Sequence, residues 1–262
     1  MEQAKDFLDE SKALHALLAE QPDAAFELVT QFKSWTINDV IRHLHYWNWM
    51  AWLQLNDEAL LVSQMEEIAR AGGMRPVERA HVEGVGGQAL LAIWKTQAEA
   101  TAGAFDKAEP KARLKWAGPD MSARSSITAR LMETWAHGQE VYDRLGAKRV
   151  EADRIRNIVV LGINTFGWTF RNRKLDVPDP MPFVRLTAPS GDVWTYGDDS
   201  TPDRIEGHAE EFCQVVTQTR NIGDTQLKVT GDTAKTWMAY AQCFAGKPET
   251  PPAVGDRAPH VI

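Results

Sequence analysis

Trp35-Thr36-Ile37-Asn38-Asp39-Val40-Ile41-Arg42-His43-Leu44 decides how the first half of the chain is read. Thr36 with an acidic residue three positions on is close to a capping box, which satisfies orphan N–H groups at a helix start. Neither Gly nor Pro follows until Gly72-Gly73, so the pattern predicts a helix of up to about 34 residues, with Asn56-Asp57 as the place where it can break. Ile37, Val40, Ile41, Leu44 and Leu55 form one apolar stripe, and His43 shares a second face with Trp47 and Met50. Apolar residues on two faces mark a helix covered on both sides.

Working outward, Phe7, Leu8, Leu14, Leu17 and Leu18 recur at helical spacing from Lys5 to about Glu20, until Pro22-Asp23 breaks the run. The Gly- and Pro-rich stretch from Gly72 to Gly87 reads as loop. Gln88 to about Lys107 reads as an Ala-rich helix. Trp116-Ala117-Gly118-Pro119 reads as a turn, and Ser122 as the N-cap of a helix from Ala123 to Leu145 that Gly146 closes. Four helices with short connections predict a bundle.

A fifth helix, about Glu151 to Phe166, leads to a Pro-rich joint, Val177-Pro178-Asp179-Pro180-Met181-Pro182. The character then changes. Phe183 to Ala188 and Val193 to Tyr196 flank the turn Pro189-Ser190-Gly191-Asp192 as a hairpin, and Gln226 to Thr230 alternates as a strand. Helices are expected at Ile205 to Arg220 and Ala234 to Phe244. The expected class is mainly α: an up-down helical bundle over 1–176, then a small α+β domain over 177–262.

The 262 residues include 29 Lys and Arg against 36 Asp and Glu, a formal charge of −7. An acidic chain without a basic block lacks the footprint that nucleic acid demands. At 44% hydrophobic and 25% charged residues, disorder and fibres are excluded. Two cysteines, Cys213 and Cys243, make neither a disulfide framework nor a CxxC metal motif, and read as buried thiols. With no signal-peptide pattern and no 18-residue apolar run, a cytoplasmic protein without membrane attachment, monomeric or homodimeric, is expected. Ten Trp against four Tyr and nine Phe suggest pocket walls as well as core.

Glu133-Thr134-Trp135-Ala136-His137 places a carboxylate and an imidazole one turn apart on one helix face. Ile127, Leu131, Trp135, Gly138, Tyr142 and Leu145 form the core stripe of that helix, and Glu133 and His137 lie off it. The pair therefore faces water or lines a polar cavity that another element covers. One His from the helix begun at Thr36 and this Glu/His pair would make three N/O ligands with a coordination position left open, as catalytic metal sites have.

The stretch Trp35 to Leu44, taken with Glu133-Thr134-Trp135-Ala136-His137-Gly138-Gln139-Glu140, resembles the DinB-like metal-binding bundles, in the branch that contains mycothiol-dependent maleylpyruvate isomerase. Leu186 to Gly191, Gly207-His208-Ala209, Val229 to Asp232 and Cys243 to Gly246 resemble the sterol-carrier-like C-terminal domain of that branch. The resemblance implies that His43, Glu133 and His137 bind a divalent metal, usually zinc, with nickel or iron as alternatives. It implies a low-molecular-weight thiol such as mycothiol, held as thiolate, and isomerisation or S-transfer on a small electrophilic carboxylic acid. It nominates Arg220 as the clamp for that acid, with Arg75 and Arg79 as further candidates to line the mouth. Trp47 or Trp135 is expected within quenching reach of the metal. A metal-dependent hydrolase using activated water, and a non-enzymatic binder of an apolar ligand, are the alternatives.

Overall fold

The computed structural model describes residues 1–116 and 118–259, so Ala117 of the expected turn lies outside the described residues. The chain divides into two compact units, Met1–Arg144 and Leu145–Ile262. The first begins with α1 (Glu2–Ala19) and α2 (Ile37–Asn56). The capping box of α2 is present: Thr36 accepts from the Asp39 N–H at 3.1 Å, and Asp39 accepts from the Thr36 N–H. The long helical pattern does break at Asn56-Asp57, where the Asp57 side chain caps α3 (Glu58–Arg70) by accepting from the Leu60 N–H.

The stretch expected to be loop holds a further helix, α4 (Met74–His81). Pro76 is its third residue, where the missing N–H has no intrahelical acceptor to lose, so the proline that argued against a helix fits the first turn. Next comes α5 (Gly87–Lys107), whose first N–H groups are taken by distant side chains: Gly87 donates to Asn38 Oδ1 at 2.9 Å and Gln88 to Asp23 Oδ1 at 2.8 Å. Gly87 sits at φ +59°, and a Cβ there would overlap the Asp23 carboxylate. A short ribbon, β1 (Arg113–Leu114) with β2 (Met121–Ser122), precedes α6 (Ala123–Leu145), and Ser122 accepts from the Ser125 N–H as its cap.

One apolar cluster gathers Phe7 of α1, Ala51 of α2, Ala98 and Phe105 of α5, and Ile127 and Leu131 of α6. A second gathers Tyr46, Met50 and Leu53 with Leu61 and Val77, backed by Trp47, Trp49 and Trp52. So α2 is covered on two sides, as its pattern predicts. Trp94 and Trp135 are fully buried.

The second unit opens with α7 (Arg156–Asn164), which starts later than the expected fifth helix, and α8 (Phe166–Asn172), which lies beyond it. A four-stranded sheet follows, of β3 (Phe183–Thr187), β4 (Val193–Tyr196) and β5 (Arg204–His208), then after α9 (Ala209–Val216) the strand β6 (Lys228–Thr230), in the order β4-β3-β5-β6. The expected hairpin pairs β3 and β4 antiparallel, Leu186 opposite Trp194. Arg204–His208, read as the start of a helix, is instead a central strand parallel to β3, and the helix is confined to α9. The last helix, α10 (Asp232–Tyr240), is shorter than expected. Because α7 packs on α9 and α8 on α10, both helices belong to the second unit, and the change of character at 177 falls inside that unit. Gly162 is where α7 meets α9: a Cβ there would stand 2.9 Å from Phe212 and 3.1 Å from Val216. Among the described residues no helix is long and apolar enough to cross a membrane.

Candidate metal centre

The cap at Thr36 fixes where α2 begins, and His43 lies two turns in. On α6 the i, i+4 spacing puts Glu133 and His137 on one face. In the fold these residues meet: one ligand atom from each of His43, Glu133 and His137 lies within 4.8 Å of the other two. Glu133 Oε2 is 3.3 Å from His137 Nε2 and 3.6 Å from His43 Nε2. The two imidazole rings meet edge to face with centroids 4.9 Å apart.

What lies behind each imidazole orients it. His43 Nδ1 donates to Glu78 Oε1 at 2.8 Å, and the Trp47 indole N–H donates to the same oxygen at 2.8 Å. His137 Nδ1 donates to Glu140 Oε2 at 3.3 Å, one turn further along α6. With both Nδ1 positions used by carboxylates, both Nε2 atoms face Glu133. Paired carboxylates of this kind fix tautomer and ring orientation in metal sites. The donor set, two imidazole nitrogens and one carboxylate oxygen with outer carboxylates in place, fits a divalent ion of the zinc type.

The electrostatics agree. Burial alone would raise the Glu133 pKa, but hydrogen bonds from His137 and His43 hold its carboxyl well below the usual carboxylate range. For His137 burial works downward, yet Glu140 and Glu133 push it up to about 9. Glu78 is opposed by burial but kept low by its bond to His43. Three carboxylates thus concentrate negative potential around the two imidazoles.

Aromatic rings from the segment before α2 cover the imidazoles. Trp35 lies nearly parallel to His137, at 9° with centroids 5.6 Å apart, and 5.2 Å from His43. Phe32 meets His137 edge-on at 5.1 Å. Here is the element that covers a pair lying off the core stripe of α6. Glu133 keeps 26% of its side-chain surface open, whereas the His43 and His137 side chains keep 9% and 10%, so access is to the carboxylate side.

Arg75 of α4 stacks its guanidinium 4.2 Å above Trp35 and pairs with Asp39 at 2.8 Å, while Arg79 stands 3.5 Å from Asp39. Both arginines therefore gather one turn before His43 on α2. His45 turns away, its ring 5.4 Å from that of His81. Trp47 is the indole on the outer carboxylate, its ring centroid 6.2 Å from that of His43, and Trp135 is core. Arg220 lies in the second unit, buried, with Nη1 donating to the Thr219 carbonyl at 2.8 Å. Cys213 is buried, and burial raises its thiol pKa well above the usual value.

Sequence reasoning missed Glu78 and Glu140 as outer carboxylates and Arg130 as a buried cation without a full set of acceptors. Glu140 was legible at i+3 from His137. Glu78 carried no signal, because its helix sits in a stretch read as loop.

Residues 7–142 match a family model described as the mycothiol maleylpyruvate isomerase N-terminal domain. Two relatives from Mycobacterium tuberculosis, strains CDC 1551 / Oshkosh and H37Rv, are each 37% identical over 248 residues, 93% of this chain and 95% of theirs; both are called uncharacterized. A crystal structure of the mycothiol-dependent maleylpyruvate isomerase is similar in fold, with a TM-score of 0.53 at 15% identity over 95% of both chains. A point mutant of that enzyme gives 0.50 at 15% identity over 82% of this chain and 87% of its own.

Proposed function

Since the chain belongs to the mycothiol maleylpyruvate isomerase N-terminal domain family, we propose that it is a metal- and thiol-dependent enzyme acting on a small electrophilic carboxylic acid, as an isomerase or an S-transferase. One observation carries the reading. His43 Nε2, Glu133 Oε2 and His137 Nε2 converge on one point, with each imidazole turned by a carboxylate behind it. Three protein ligands leave room for a fourth, exogenous one.

A divalent ion at this point would supply the positive charge that lowers a thiol's pKa and keeps the sulfur as thiolate at neutral pH. The chain's residues do the rest. Glu78 and Glu140 hold the two imidazoles in their liganding orientation. Trp35 and Phe32 shield one side from water, which keeps a thiolate nucleophilic rather than solvated. The thiolate forms a C–S bond to an electron-poor alkene carbon, and the π pair moves onto the conjugated carbonyl. For isomerisation, rotation about the resulting single bond and return of that pair expel the thiolate. For S-transfer the carbanionic carbon takes a proton and the adduct departs.

The test is elemental analysis of the purified protein and of Glu133→Ala/His137→Ala, with turnover of cis-unsaturated keto acids with and without mycothiol. Stoichiometric metal in the wild type alone, and turnover only with thiol, is the expected result. No metal in either protein overturns the reading, and ester or amide hydrolysis without thiol replaces it with activated-water chemistry.

A further inference from the structure

Arg130 stands on α6 one turn before Glu133 and is 4% exposed. Its Nε donates to Asn48 Oδ1 of α2 at 3.2 Å. Glu133 and Glu78 are near enough for their charges to act on it, but among the described residues neither forms an ion pair with it. Arg130 Nη2 is sealed in the interior with no acceptor. Asn48 Nδ2 and Thr134 Oγ1 are sealed and unpartnered in the same way, on side chains that are fully buried. Thr134 follows Arg130 by one turn on the same helix face, and Asn48 touches Arg130 directly. A buried guanidinium Nη2 and a buried amide Nδ2 left without acceptors are costly, and native interiors avoid them unless a further group supplies the acceptor.

What fills it must accept hydrogen bonds from several donors and neutralise a cation. Water meets the first requirement only; a carboxylate meets both, and guanidinium presents the forked geometry that carboxylates match. We propose that Arg130 and Asn48, with Thr134, form a carboxylate subsite beside the metal-ligand cluster, and that it anchors the acid group of the electrophile. The identity of the occupant as substrate rests on the proposed function; the existence of the subsite does not.

The test uses formate as probe on full-length, metal-free protein, with binding followed by calorimetry and by melting temperature. Wild type is expected to bind formate saturably and to melt higher in its presence. Arg130→Met should weaken binding at least tenfold, and Arg130→Lys should retain part of it. Because Arg130→Met also removes a buried side chain that packs in the bundle, Asn48→Asp is the decisive variant: it hands Arg130 an internal carboxylate, so it should fold and yet lose formate binding. No formate binding by the wild type, or equal binding by Asn48→Asp, overturns the subsite. In the metal-loaded enzyme, Asn48→Asp should raise KM for the acid at least tenfold while leaving KM for the thiol unchanged. Formate binding without any thiol-dependent turnover supports the subsite and counts against the proposed reaction alone.

Discussion

Replacing Glu78 by glutamine isolates what the carboxylate behind His43 contributes. Glu78 Oε1 receives both the His43 Nδ1–H and the Trp47 Nε1–H, each at 2.8 Å, on a side chain only 2% exposed. In Glu78→Gln the amide oxygen still accepts both donors, so the shape survives and the negative charge does not. Charge-assisted hydrogen bonds are about twice as strong as neutral ones, and losing a carboxylate behind a metal-bound histidine costs about 10- to 100-fold in metal affinity, or roughly 1.4–2.7 kcal/mol. Glu78→Ala removes the acceptor as well. It strands two buried donors at about 1–3 kcal/mol each, so about 2–6 kcal/mol of stability should disappear with it. Competition against a chromophoric chelator reads the first effect, and thermal melting of metal-free protein reads the second. Glu78→Gln binding zinc within twofold of wild type, or Glu78→Ala melting like wild type, would refute this account of how His43 is oriented.

Three further outcomes follow from the geometry. Adding Co²⁺ to metal-free protein should quench tryptophan fluorescence, and Trp35→Phe should remove more of that quenching than Trp135→Phe, because Trp35 lies against both imidazoles; equal residual quenching in the two variants would count against this. Gly162→Ala should cost the second unit about 1–3 kcal/mol through overpacking of α7 against Phe212 and Val216, read as a lower denaturation midpoint; an unchanged midpoint would show that the contact relaxes freely. Burial acts to raise the Asp39 pKa, but Arg75 and the Thr36 N–H outweigh it and the folded value is depressed. Its stabilising contribution is therefore fully present above the unfolded-state pKa and lost as pH falls through the folded one, so wild type and Asp39→Asn should differ in stability at neutral pH and converge in strong acid.

The parts of the fold that were legible are those whose signals are local. Thr36 and Asp39 make their cap from four consecutive residues, Ser122 caps α6, and the i, i+4 relation of Glu133 and His137 needs nothing beyond helical geometry. Signals that depend on tertiary partners misled. Pro76 reads as a breaker unless one knows that a helix begins two residues earlier. Ile205 and its neighbours read as helical because a central strand between β3 and β6 is recognisable only from its partners. The Pro-rich joint near 177 is a strong local punctuation, yet compactness follows the packing of α7 and α8, which composition does not record. In the site, the ligand trio was named from resemblance, while Glu78 and Arg130 emerge only once α4 and α2 are folded beside α6.

His43 and Glu133 are about 90 residues apart along the chain, a separation whose closure an unfolded polypeptide achieves only at an entropic cost. His137 with Glu133 alone is a two-point contact that any surface helix could offer. During synthesis, then, α2 emerges long before α6 and cannot keep an ion by itself. An ion held by this trio would thus be taken up only once the bundle is whole, and the finished helices, rather than a flexible nascent segment, would select it.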